Sequence, residues 1–85
     1  MRRYTTAGDW QTIATETLNY YTDTVSVKTE EATAVDTKTG SRHRGGAIRV
    51  TLSVRSTRKT KTFIGETANH DARRWVSDTA NKVTR

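Results

Sequence analysis

The sequence has no cysteine and no proline, and only one methionine and one phenylalanine among its 85 residues. Without Cys there is no disulfide framework, no thiolate nucleophile and no Cys-based metal site, which fits a reducing setting, cytoplasmic or otherwise intracellular. Without Pro there is no Pro-rich linker, and no internal repeat is present. No apolar run approaches the length of a membrane span, so no membrane partner is expected. The opening "MRRYTTAGDW" has two arginines but no apolar run behind them, so it is not expected to be a signal peptide. There are only two His, no pair with metal-ligand spacing and no phosphate-loop pattern. A Mg²⁺-dependent nuclease needs clustered carboxylates, and the basic half offers only Glu66, Asp71 and Asp78. No metal, no cofactor and no enzymatic activity are therefore expected.

Negative charge is also scarce. Lys and Arg total 15 against 9 Asp and Glu, a formal charge of +6 with pI near 10.2. The bias is uneven: residues 1–40 hold four basic and six acidic residues, whereas residues 41–85 hold eleven and three. Such an asymmetric basic chain points to a polyanionic partner, most simply nucleic acid. The length bounds the answer to one domain, residues 1–85, with a modest core. A homodimer or a protein partner stays open, because domains of this size gain much from association. Threonine is abundant, 18 residues, and favours strands.

Periodicity supplies the elements. "TAGD" at Thr6–Asp9 fits a capping box. Trp10, Ile13, Ala14, Leu18 and Tyr21 then follow helical spacing, with Thr17 filling the stripe, and predict a first helix over Gly8–Tyr21. Val25 to Val35 has strand composition with weak patterning. It fits either one long bulged strand or, as preferred, a loop followed by a strand at about Thr33–Lys38. Ala47–Arg55 alternates strictly, with Ile48, Val50, Leu52 and Val54 on one side and Arg49, Thr51, Ser53 and Arg55 on the other. "STRKT" reads as a turn and "KTKTFIGE" as a strand ending at Gly65. Ala72, Val76, Thr79, Ala80 and Val83 mark a second helix, with Trp75 beside the stripe and Thr67 or Asn69 as N-cap. The expected fold is α+β, in the order α-β-β-β-α. An antiparallel three-stranded sheet would carry both helices on its apolar face.

That order resembles the double-stranded RNA-binding domain over roughly Ile13 to Val83. "LNYY" (Leu18–Tyr21) is similar to the family's Leu-Asn-Glu-Tyr of helix one. "GSRH" (Gly40–His43) has the spacing of its Gly-Pro-x-His loop. "FIGET" resembles its strand ending in Gly-x-Gly, and "NHDARRWVSDTA" stands where the family has Lys-Lys-x-Ala-Lys. The departures are Ser41 in place of Pro, Asn69 and His70 in place of the lysine pair, Asp71 in the same turn, and Trp75 at a small-residue position. The resemblance implies binding of duplex nucleic acid, RNA favoured over DNA, through phosphates and sugars with little base reading. If about six phosphates are contacted, the log–log salt slope is roughly −4 to −6. A second stretch, "AIRVTLSVRSTRKTKTFIGETANHDARRWV", is similar to sheet-plus-helix DNA-binding domains. These are the arm-binding type of tyrosine recombinases and a plant DNA-binding type. Ala72 and Trp75 match their Ala-x-x-Trp spacing.

The two resemblances assign different sites. The RNA type implies Arg42, His43 and Arg44, bounded by Gly40, Gly45 and Gly46, where glycine lets backbone approach a ligand. It adds Asn69, His70, Arg73 and Arg74 at the start of helix two, where free N–H groups favour phosphate. Gln11 and Thr12 of helix one would face a neighbouring minor groove. The DNA type implies the outer face of the sheet, with Arg49, Arg55, Lys59 and Lys61. A third possibility keeps the fold as a protein-interaction module without nucleic-acid binding.

Overall fold

The computed structural model describes residues 3–84. Four strands, β1 (Tyr4–Tyr20), β2 (Asp23–Asp36), β3 (Arg42–Val54) and β4 (Thr57–Ile64), precede one helix, α1 (Ala68–Val83). The strands form a single antiparallel sheet in the order β1-β2-β3-β4. The fold is still α+β, but the expected α-β-β-β-α order with three strands and two helices is wrong. The segment expected as helix one is the longest strand.

The physical reason lies in β1 itself. It carries five threonines, at positions 5, 6, 12, 15 and 17, whose branched Cβ disfavours helix and suits a pleated surface. Its register with β2 slips twice, between Ala7 and Gln11 and between Thr12 and Ala14. Each slip resets the two-residue alternation, so the apolar positions imitate helical spacing. Ala14 and Leu18 stand on the α1 side of the sheet. Trp10 lies on the opposite side, against Arg49. Ile13 falls at a slip and is half exposed, and Tyr21 is a turn residue with φ 57°.

The preferred loop before Thr33 is likewise strand. β2 runs unbroken from Asp23 and is irregular only between Ala32 and Ala34, where it pairs with β3. The stretch expected as a glycine-rich loop tip belongs largely to β3, with Val35 opposite Arg42 and Ala34 opposite His43. The true turn is 37–41. There Asp36 Oδ1 accepts from the Lys38 N–H at 2.9 Å, and the Asp36 carbonyl accepts from the Gly40 N–H at 2.8 Å.

Gly45 and Gly46 serve the register shift. Gly45 has φ 75°, and a Cβ on Gly46 would meet the Ala34 Cβ at 2.9 Å. The glycines are needed where two backbones crowd.

One sheet face is apolar. Val25, Val27, Ile48, Val50, Leu52 and Val54 are buried there beneath Ala68, Ala72 and Ala80 of α1. The small Ala stripe lets the helix lie close, while Trp75 packs edge-on against Phe63 with centroids 6.4 Å apart. Phe63 faces this core and its neighbour Ile64 is 43% exposed, as alternation requires. α1 packs mainly on β3 and β4. Over β1 and β2 a groove of about 470 Å³ remains, lined among others by Ile13, Leu18, Tyr20, Val27 and Val76.

Candidate nucleic-acid interface

The opposite sheet face carries no helix. Strand register places its residues in rows across all four strands. Thr17, Ser26, Ser53 and Arg58 form one row; Thr15, Lys28, Thr51 and Thr60 the next; Thr12, Glu30, Arg49 and Thr62 the third. These three rows hold eight hydroxyls, three cations and a single carboxylate. The centre is a shallow hollow bounded by Thr15, Ser26, Lys28, Glu30, Arg49, Thr51, Ser53, Arg58 and Thr60. Six of the 18 threonines thus acquire a structural account: with Ser26 and Ser53 they fill alternate positions on the wet side of the strands.

The one carboxylate is spoken for. Arg49 Nε donates to Glu30 Oε1 at 3.0 Å and Nη2 to Oε2 at 2.9 Å, a two-pronged ion pair. The guanidinium also lies 4.5 Å from the centroid of the Trp10 ring, a cation–π contact that fixes its plane. Hydrogen bonding from Arg49 holds the Glu30 carboxyl below its ordinary value, against partial burial. The charges of Arg49 and Lys28 act in the same downward direction. The same bond pushes the Arg49 guanidinium up. Lys28 and Arg58 are exposed, and Lys28 acts on Glu30 through its charge without a side-chain hydrogen bond.

The sequence-predicted residues scatter over this frame. Arg49 is on the helix-free face. Arg55 sits in the β3–β4 turn with φ 54°, its Nε donating to Asp23 Oδ1 at 2.8 Å. That bond raises the Arg55 pKa, and the pair ties the β3–β4 turn to the start of β2. Lys59 and Lys61 pair with Leu52 and Val50 and so stand on the α1 side. Lys61 Nζ lies 5.5 Å from the Phe63 ring centroid. Thr12 is on the helix-free face, whereas Gln11 pairs with Glu31 on β2.

At the far end of the sheet, Arg42, His43 and Arg44 are exposed. His43 packs edge-on to Tyr4 with centroids 5.7 Å apart. The start of α1 comes close to this end: His43, Arg44 and Asn69 line one small hollow with Gly65 and Glu66. His70 and Arg74 are exposed on the helix, and Arg73 borders the apolar groove with Glu16. Thr67 stands at the N-cap, but its hydroxyl accepts from no N–H of the first turn and instead donates to Asp71 Oδ2 at 2.8 Å. The two groups assigned to RNA therefore meet only at His43, Arg44 and Asn69.

Sequence reasoning read Thr51 and Ser53 as the outer side of β3 but missed Lys28 and the rows that continue them onto β1, β2 and β4. The available signal was the two-residue repeat of Thr and Ser in "TVSVK", "RVTLS" and "RKTKT", which marks a solvated strand face as clearly as alternating Val marks a buried one. Among the described residues no cluster of three or more His, Asp or Glu could hold a metal, and no helix is long and apolar enough to cross a membrane. No protein-family model, no curated protein and no solved structure matches the chain.

Proposed function

We propose that this chain binds duplex DNA across the helix-free face of its sheet. The observation that carries this reading is the three-row surface itself, hydroxyl-rich and cationic, whose only carboxylate is already held by Arg49. Hydroxyls and cations are the groups that satisfy phosphate oxygens and base edges. The major groove of B-DNA admits β-strands, while the major groove of A-form RNA is too deep and narrow to read that way. The expectation of RNA leaned on a first helix, and that helix is a strand. The molecule is 48 Å long, which corresponds to about 14 base-pair steps at roughly 3.4 Å each.

Fluorescence anisotropy with a labelled duplex of about 20 base pairs, as DNA and as RNA, tests the proposal. Lys28 and Arg58, the two cations of these rows outside the Arg49–Glu30 ion pair, contribute about −1.8 to the log–log salt slope on DNA, at roughly 0.9 per phosphate. Replacing Lys28 and Arg58 together by Ala is expected to flatten the slope by about 1.8 and weaken binding on all sequences alike. Tighter binding to RNA than to DNA, or a double variant that binds as the parent does, refutes it.

A further inference from the structure

Among the described residues the sheet has two free edges, and their charges are opposite. β1 contains Asp9 and Glu16 and no Lys, Arg or Pro; β4 contains Arg58, Lys59 and Lys61 and no carboxylate. Lysines on an edge strand are a familiar guard against unwanted pairing, and β4 is guarded in this way. β1 has no such guard. Its upper half is interrupted by register slips, but Ala14–Tyr20 keeps seven consecutive residues in regular register with β2 and leaves its outer edge unpaired.

Like edges repel. Two β1 edges would bring Glu16 toward Glu16, and two β4 edges would oppose three cations to three. Unlike edges attract, and the geometry allows them to meet. Strands alternate in direction across the sheet, so β4 of one copy beside β1 of the next continues the antiparallel order. The regular segment of β1 is seven residues long and β4 is eight, so the lengths match. Pairing also places Glu16 opposite Val27, and Lys59 and Lys61 opposite Leu52 and Val50. All three side chains therefore stand on the α1 side of the sheet.

We infer that copies of this chain associate edge to edge, the β4 strand of one against the Ala14–Tyr20 segment of the next, with Glu16 facing Lys59 and Lys61. The contact is head to tail, so each copy keeps one edge of each kind free and the association does not close at two. The helices stay on one side and the hydroxyl rows join into one longer surface on the other. This inference stands whether or not that surface binds DNA.

Sedimentation velocity on the full chain, without nucleic acid, tests it over a concentration series at low salt and in about 1 M salt, where exposed charges are screened. The expected result is a mass that rises with concentration past that of a dimer and falls back at high salt. Glu16→Lys alone, and Lys59→Glu with Lys61→Glu, are each expected to raise the concentration needed for association by at least tenfold. Mixing the two variants restores association, since each then offers the edge the other lacks. All three side chains are exposed, and circular dichroism verifies that the variants fold. A parent chain that stays monomeric throughout, a mass that saturates at two copies, or charge variants that associate like the parent overturn the inference.

Discussion

Removing an acidic charge at Glu30 makes the most discriminating variant. In the parent, Arg49 is held by two hydrogen bonds to Glu30 and presents a neutral pair to solvent. Glu30→Gln keeps the size of the side chain and one acceptor but removes the charge. Arg49 then becomes a net cation on the helix-free face, still positioned by the Trp10 ring 4.5 Å away. One more phosphate can be neutralised, so the log–log salt slope on duplex DNA steepens by about 0.9. Between 50 and 200 mM salt, a fourfold change, that adds a loss of about 3.5-fold in affinity beyond what the parent loses. At the low-salt end the variant binds more tightly than the parent, an unusual outcome for a substitution that breaks an ion pair. The assay is anisotropy at four salt concentrations with identical DNA. A slope equal to that of the parent means that Arg49 does not face the phosphates and refutes the assignment of this face.

Leu52 is fully buried between Val25, Val27 and Ala80, and Leu52→Ala is expected to cost about 2–5 kcal/mol in urea unfolding. That is a large share of the roughly 4–13 kcal/mol available to a domain of this length. Gly46→Ala forces apart β2 and β3, because its Cβ meets the Ala34 Cβ at 2.9 Å; a loss of about 1–3 kcal/mol is expected in thermal melts. Gly40→Ala meets no neighbouring atom and suffers only its φ of 74°, a smaller loss of about 1–2 kcal/mol. Glu30 titrates below its unfolded value when folded, so its stabilisation is fully present above that unfolded value. It is lost as pH falls through the lower folded value. Acid unfolding followed by circular dichroism should lose this contribution in Glu30→Gln, with little difference between the proteins under strongly acidic conditions.

Where one face of a strand is purely apolar, the sequence was legible. The alternation of Ile48, Val50, Leu52 and Val54 marks β3 and its buried side, and the Ala72, Val76 and Ala80 spacing marks α1. Legibility failed where register slips. β1 changes phase at two places, so Trp10 and Leu18 fall on opposite faces while their spacing mimics one helical stripe. β2 hides for another reason: Glu30 is buried only because Arg49, nineteen residues away, neutralises it, and no local pattern announces that partner. The site followed the same division. Arg49 was readable from its strand. Lys59 and Lys61 were assigned to the wrong side because the β3–β4 turn is only Arg55 and Ser56, shorter than the five-residue turn expected.

Every strand in this sheet pairs only with its neighbours in the chain, through connections of two, five and two residues. The closure entropy of each hairpin is therefore small, and the sheet can zip from its middle hairpin outward without waiting for distant segments to meet. β1 and β4 are the two outer strands of that sequence. β1 forms its backbone ladder with β2 alone, and α1 packs mainly on β3 and β4, so an opening of β1 gives up its ladder with β2, Trp10 over Arg49, Tyr4 against His43 and the packing of Leu18 and Tyr20, while the β2–β3–β4 ladder and its helix keep their contacts. Amide protons of β1 should then exchange through a low-energy opening, and those of β3 only through global unfolding. If that exchange pattern is found, the longest strand is a conformational reserve at one edge of a sheet whose other half stays a rigid core.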